Sequence, residues 1–307
     1  MICVVTGVAG FIGSALAQKL IDLGHSVIGI DCLLENLYSN DFKLENLNNL
    51  MKSTLFEFQN LDLRDSNLRI NLKSTDTVFH LAAMAGLKTT WSDFKTYQDC
   101  NILATYNLLQ LVKNQGCPKL VYASTSSIYG KIATGSENSN PKPCSPYGVT
   151  KLAAENLVES YDLDSTVLRF FSVYGPRQRP DMAYSKIISQ IYQGETVEIF
   201  GNGKQARSNT YITDLVDALI LAGLNRTPSK IYNVAGSETI ELNHAVKKIA
   251  FLLNKKLSVK YLEARVGDQI ITSGDYSLIA KELGWRPRIN FDLGISMQVK
   301  EFLNSKT

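Results

Sequence analysis

Three glycines, Gly7, Gly10 and Gly13, follow directly on an apolar run at the start of the chain, and this feature narrows the possible folds most. Ile2 to Val5 is β-branched and apolar, too short for a buried helix, and reads as an interior strand. After the glycines, Phe11, Ile12, Leu16, Leu20 and Leu23 recur at helical intervals. Strand, glycine turn and helix in that order make a phosphate cradle. Glycine lets backbone approach a pyrophosphate, and the helix N-terminus offers free N–H groups and the positive end of its dipole. A second strand, Ser26 to Ile30, ends in Asp31, about 20 residues on, where a carboxylate can take ribose hydroxyls. No basic residue follows Asp31 directly, which favours NAD over NADP.

The rest of the first half repeats the alternation. Strands are expected at Leu55–Phe58, Thr77–Leu81, Lys119–Ala123 and Ser165–Phe171, six in all, with a partly helical stretch within Leu33–Lys52. A long amphipathic helix is expected over Thr96–Asn114, and another over Tyr147–Tyr161, opened by Ser145 as N-cap and Pro146. Thr134–Pro143 reads as a loop. The pattern predicts an α/β fold with a doubly wound parallel sheet, Rossmann-like, over residues 1–171. From Ser172 to Thr307 the alternation is lost, and turn signals such as Gly201-Asn202-Gly203 predict a smaller α+β substrate lobe, with some segments returning to the first domain.

Bulk properties exclude several function classes. A net charge of +3 without basic runs gives no nucleic-acid or membrane surface. No apolar stretch approaches the ~20 residues a membrane helix requires, and the N-terminus lacks the basic start of a signal peptide. Cys3, Cys32, Cys100, Cys117 and Cys144 lie far apart without a CxxC pair, and read as free thiols of a cytoplasmic protein with no metal site.

Tyr147 and Lys151 stand four apart, on one face of their expected helix. A phenol titrates near 10, and a neighbouring ammonium favours its phenolate. Such a pair alone is common on surfaces. Here it follows a hydroxyl cluster, Ser124 to Ser127, at the carboxyl end of a strand in the same domain.

These stretches together resemble the extended short-chain dehydrogenase/reductase family. The resemblance rests on Thr6–Gly13, Asp62-Leu63-Arg64-Asp65, His80-Leu81-Ala82-Ala83, Ser124–Gly130, Tyr147–Lys151, Arg169–Pro176 and Arg265-Val266-Gly267-Asp268. Within that family the chain is most similar to nucleotide-sugar 4-epimerases. Ala123–Tyr129 and Tyr174–Ala183 resemble UDP-glucuronate 4-epimerases in particular.

The resemblance implies NAD as cofactor, a UDP-sugar as substrate, a homodimer and a place in polysaccharide biosynthesis. It implies catalysis by Thr125, Tyr147 and Lys151, with C4 of the sugar oxidised transiently and reduced again from the other face. Gly7, Gly10, Phe11, Ile12 and Gly13 would cradle the cofactor, with Leu81, Ala82 and Ala83 beside it. Asp62 and Leu63 would hold its adenine, Asp31 its ribose, and Lys88 its ribose or phosphates. Arg207 and Arg265 would clamp the UDP diphosphate, which suits fork-shaped guanidinium donors. Ser126, Ser127 and Ser172, with Arg179, would meet a C6 carboxylate, and Asp268 and Thr272 complete the substrate set.

Relatives that eliminate water carry Asp-Glu directly after the catalytic Thr, and decarboxylases carry a Glu at the second position. Ser126 and Ser127 supply no carboxylate, which disfavours both reactions. Two departures, Ser172 for Asn and Ser208-Asn209 for an Asp-aromatic pair, bear on the sugar. UDP-glucose/galactose and UDP-N-acetylhexosamines remain open alternatives to UDP-glucuronate, Thr272 being small where some hexose-restricted epimerases are bulky. A noncatalytic NAD-binding sensor is the reading of another class. For dimer contacts, the Thr96–Asn114 helix offers Tyr106, Leu109 and Val112, opposite Tyr147–Tyr161.

Overall fold

The protein was analysed as a computed structural model, which describes residues 1–35, 38–86, 91–116, 119–264 and 269–306. The first half runs β1 (Ile2–Thr6), α1 (Phe11–Asp22), β2 (Ser26–Asp31), α2 (Asn40–Leu50), β3 (Phe56–Asn60) and β4 (Thr77–His80). It continues through α3 (Phe94–Gln98), α4 (Ala104–Asn114), β5 (Lys119–Thr125), β6 (Ile132–Gly135), α5 (Pro146–Ser160) and β7 (Ser165–Phe170). The second half holds β8 (Val173–Tyr174), α6 (Ala183–Gln193), β9 (Val197–Phe200), β10 (Ala206–Ser208), β11 (Thr210–Tyr211), α7 (Ile212–Leu224) and β12 (Ile231–Val234). It closes with β13 (Thr239–Glu241), α8 (Leu242–Leu253), β14 (Val259–Leu262), β15 (Ile271–Gly274), α9 (Ser277–Leu283) and α10 (Phe291–Asn304).

The expected parallel sheet is present, with seven strands in the order β12-β7-β5-β4-β1-β2-β3. Its strands are apolar on both faces because helices cover both. On one side Leu16 and Leu20 of α1 and Leu215 and Leu219 of α7 pack with Phe79 and Val121. On the other, Leu108 and Val112 of α4 and Ala154 and Val158 of α5 pack with Val4, Val78 and Tyr122. Register fixes the working edge. Thr6 pairs with Ile30 and His80, His80 with Tyr122, and Thr125 with Phe170. The glycine turn, Asp31, the Leu81–Ala83 run, Thr125 and Ser172 therefore all emerge at the carboxyl edge, where open α/β sheets bind ligands.

Two differences from the sequence reading have physical causes. The seventh strand, β12, comes from the second half, where the run Ile231-Tyr-Asn-Val carries a polar residue at its centre. Asn233 is tolerated there because its side chain meets Tyr129, Gly135 and Asp275. The long helix over Thr96–Asn114 is divided, a π-helical turn at Asp99–Leu103 separating α3 from α4. Asn101 in that turn points inward, its Oδ1 accepting from Met84 N at 2.8 Å and its Nδ2 donating to Thr150 Oγ1 at 3.0 Å. Such wide turns re-aim a side chain at functional sites. The expected loop Thr134–Pro143 loses its first two residues, Thr134 and Gly135, to β6 (Ile132–Gly135), which pairs with β15 in a four-stranded sheet ordered β13-β10-β15-β6.

Leu109 and Val112 lie in the protein's own core, so they are not the dimer contacts suggested from sequence, whereas Tyr106 is 44% exposed and Leu103 40%. Among the described residues Cys3, Cys32 and Cys100 are thiols outside any disulfide, and no group of His, Cys, Asp or Glu could hold a metal. No described helix is long and apolar enough to cross a membrane.

Candidate active site

The cradle is made of backbone in close contact. Gly7 has φ +71°, and a Cβ there would stand 2.8 Å from Ala82 N; one at Gly13 would stand 2.2 Å from Gly7 O. Neither clash can be relieved by a side-chain shift, so both positions require glycine. The approach is fastened by Thr6, whose Oγ1 accepts from Leu81 N and Ala82 N at 3.2 Å each. Gly10 caps α1, so Phe11 and Ile12 open the helix with free backbone amides facing the edge. Phe11's ring is buried. Asp31 lies just beyond, its Oδ2 accepting from Ala9 N at 3.1 Å and its Oδ1 from Leu33 N at 2.9 Å. Burial raises its pKa, while these amides and Lys43 pull the other way.

This geometry fits a dinucleotide: a backbone hollow too small for any side chain, free helix amides for phosphates, and a fixed carboxylate one strand away. The half-buried Leu81, Ala82 and Ala83 leave the floor of the hollow low. Asp62 sits at the end of β3 and is ion-paired with Arg64 at 2.6 Å, which lowers its pKa. Leu63 packs its side chain into the core, and its carbonyl accepts from Asn107 Nδ2 at 2.9 Å. Lys88, Arg265 and Asp268 lie outside the described residues.

The residues expected to react lie beside the ends of β5 and β7. Ser145 caps α5 as expected, its Oγ accepting from Gly148 N at 3.1 Å. Thr125 caps the short turn that follows β5, accepting from Ser127 N at 3.1 Å, and its hydroxyl acts on the nearby Tyr147 phenol. Burial raises the Tyr147 phenol, opposed by Thr125 and by Arg179. Burial acts oppositely on Lys151, which is 2% exposed and has its pKa lowered to about 7. Its Nζ lies 4.1 Å from the Tyr122 ring centroid, a cation–π contact. The sequence suggested Lys151 as the cation acting on Tyr147; in this state Arg179 acts on the phenol, while Lys151 rests on Tyr122. His80 is fully buried and pushed down to about 3, hence neutral. Its Nδ1 meets Thr6 Oγ1 at 2.8 Å and its Nε2 meets Thr105 Oγ1 at 2.9 Å. It links the cradle to the helix across the sheet without adding charge.

Of the expected substrate residues, Ser126 is buried, Ser127 and Ser172 are half-buried, and all three flank Thr125 along the same edge. Ser126 O accepts from Gln269 Nε2 at 3.3 Å. Arg179 is paired with Asp181 at 2.7 Å, donates to Ala85 O at 2.9 Å and lies 5.2 Å from the Tyr38 ring centroid. Arg207 donates to Ala206 O at 3.0 Å and to Gln269 O at 2.5 Å, so it lies folded along its own sheet. Thr272 pairs with Arg207 in the neighbouring strand and is fully buried, its Oγ1 accepting from Ser208 N at 3.3 Å. Sequence reasoning missed Tyr38, Asn101, Tyr122, Glu155 and Gln269. Only Asn101 left a trace, as a polar residue on the apolar face of an expected helix.

A model described as the NAD dependent epimerase/dehydratase family matches residues 3–235. The chain belongs to that family. It is 38% identical over 305 residues to a UDP-glucuronate 4-epimerase of Thermodesulfobacterium geofontis (strain OPF15), covering 96% of this chain and 94% of the relative. It is 37% identical over 303 residues to YtcB of Bacillus subtilis (strain 168), an uncharacterized UDP-glucose epimerase, covering 96% of each. The crystal structure of a Bacillus cereus UDP-glucuronic acid 4-epimerase with UDP-glucuronic acid and NAD superposes with a TM-score of 0.93 at 33% identity, covering 99% of this chain and 100% of that one.

The lowered pKa of Lys151 has a consequence for stability. The folded value is about 7 and the ordinary value 10.5, so the folded state resists a charge that the unfolded state carries freely. The cost is full below pH 7, shrinks as pH rises, and vanishes above the unfolded value. Lys151→Met should therefore stabilise the cofactor-free protein by a few kcal/mol at pH 6, and the advantage should narrow steadily toward pH 10. Urea denaturation at pH 6, 8 and 10 checks this; an advantage that stays constant or grows with pH contradicts it.

Proposed function

We propose that the protein interconverts the C4 epimers of a UDP-sugar using NAD, with UDP-glucuronate and UDP-galacturonate as the pair. The observation that carries the reading is the Thr125–Tyr147 hydroxyl pair at the sheet edge, followed by two serines rather than carboxylates. The 38% identity to a UDP-glucuronate 4-epimerase over nearly the whole chain supports the sugar assignment. The relation to YtcB keeps a neutral UDP-hexose as the second reading.

NAD bound in the cradle would supply the hydride acceptor, and afterwards the donor, for C4 of the sugar. The residues of the chain do the rest. Tyr147 takes the proton of the 4-hydroxyl and later returns one to the same oxygen. Thr125, at the same edge, hydrogen-bonds that oxygen and fixes its position. A base held in this way contributes about 10²–10⁴-fold. Lys151 would help to hold the cofactor and, once charged, favours the phenolate. A 4-keto uronic acid loses CO₂ when its carboxylate aligns with the ketone. Ser126, Ser127 and Ser172 would hold that carboxylate out of alignment through neutral hydrogen bonds, and Arg179 would bind it if released from Asp181. Arg207 would swing from its backbone carbonyls to the diphosphate.

Tyr147→Phe tests the reaction class. It should retain NAD and UDP binding by calorimetry and lose UDP-glucuronate epimerisation by more than about 10³-fold, read by NMR of products. Activity within tenfold of the wild type contradicts the assignment. The same assay with UDP-glucose and UDP-N-acetylglucosamine decides the sugar, and preferential turnover of either moves the assignment to it.

Pairing of two copies through α4 and α5, with Tyr106 and Leu103 at the contact, is the proposed assembly. Light scattering at micromolar concentration should give twice the 34.1 kDa chain mass, and a monomeric mass contradicts it.

A further inference from the structure

Behind the reacting face of α5 lies a buried ionic cluster that the proton transfer does not touch. Glu155 stands one helical turn beyond Lys151, and its side chain is 1% exposed. Arg169 of β7, its side chain 5% exposed, donates to Glu155 Oε1 through Nη2 at 2.5 Å and through Nε at 3.1 Å. Ser124 of β5 donates to Oε2 at 2.5 Å. The remaining arm of Arg169, Nη1, donates to Tyr129 Oη at 2.8 Å and to Glu137 O at 2.9 Å, and Tyr129 in turn donates to Asn233 Oδ1 at 2.8 Å. The carboxylate is thus fixed from two strands whose ends carry the site. A sealed ion pair is poor value as a source of stability, since a well-packed apolar replacement is often as stable. Its placement suggests another use.

The groups around Lys151 carry little charge besides this one. Tyr122 of β5 presents its ring to the ammonium, His80 of β4 is neutral, and Tyr147 precedes it by a turn on α5. Asn101 and Thr105, from the π-helical turn and α4, are uncharged and bonded to Thr150 and His80. Burial disfavours charge on Lys151, and the carboxylate of Glu155 opposes that effect. Arg169 of β7 is bonded to Glu155, Tyr129 and Glu137 O, not to the amine.

We propose that Glu155, fixed by Arg169 and Ser124, is a positioning residue for the proton transfer: its negative charge one turn behind Lys151 holds that side chain as the ammonium on the face of α5 shared with Tyr147. The inference rests on the reading of Tyr147 and Lys151 given under Proposed function. Without the carboxylate, a dry pocket would leave the amine neutral at working pH, and the phenol would lose, besides Arg179, a second cation that can favour its ionised form.

The test is a titration of Lys151 itself, in cofactor-free protein labelled with [ε-¹³C]lysine, the resonance being identified by its absence from Lys151→Met. The wild-type midpoint should lie near 7, and Glu155→Gln should lower it by about one unit or more. The double variant Glu155→Gln/Arg169→Met, which leaves no unpaired guanidinium in the core, should lower it in the same direction. It decides the matter alone if the single variant does not fold. In the NAD-loaded enzyme the acid limb of the kcat profile should move upward with little change in KM, about a tenfold loss of rate on that limb per unit. A Lys151 midpoint within ~0.3 unit of wild type in the folded variants, small beside the shift an opposed buried charge produces, would overturn the proposal. That result is separable from failure of the reaction reading, which Tyr147→Phe tests without reference to Lys151.

Discussion

The structure depends on a contact between two pieces of backbone. The turn after β1 lies against Ala82 on one side and under Gly13 on the other, at distances that admit no side chain at Gly7 or Gly13. Thr6 fastens the contact by accepting two amides from the end of β4. Because β1 and β4 are held this closely, the first amides of α1 open onto the carboxyl edge, and the floor of the hollow is set by the small Ala82 and Ala83. The parallel register then brings Asp31 and Thr125 to the same edge.

Desolvation rules the chemistry built on that edge. It raises the Tyr147 phenol, lowers the Lys151 amine and neutralises His80, so each group drifts toward its uncharged form. A neutral site holds no base strong enough to take a sugar hydroxyl proton. In the proposed mechanism, reactivity therefore depends on charges near these groups: Arg179 beside the phenol and the sealed Glu155–Arg169 pair behind the amine. The cost of dehydrating these groups is met by closely fitted partners, with nearly every polar atom of the cluster bonded.

Much of this was legible in the sequence because the deciding signals are local. The glycine spacing, Asp31 at the end of the second strand, and Tyr147 and Lys151 on one helix face each follow from a few neighbouring residues. What was not legible depends on distant meetings. β12 was hidden because Asn233 interrupts an apolar run, and only Tyr129, more than a hundred residues earlier, explains its burial. The division of the helix at Asp99–Leu103 arises from Asn101 reaching Met84 and Thr150. Leu109 and Val112 were offered as surface contacts because helical periodicity does not say whether a stripe faces its own core. Glu155 and Arg169 are unremarkable charges in the sequence, and only the packing of α5 on β5 and β7 brings them together.

The central claim, that C4 is oxidised and reduced again within one closed site, is tested most directly with UDP-glucuronate carrying deuterium at C4. The account predicts that UDP-galacturonate forms with the deuterium still at C4, and that none enters from or escapes to solvent. Loss of the label to water, or its release on reduced cofactor, would contradict it.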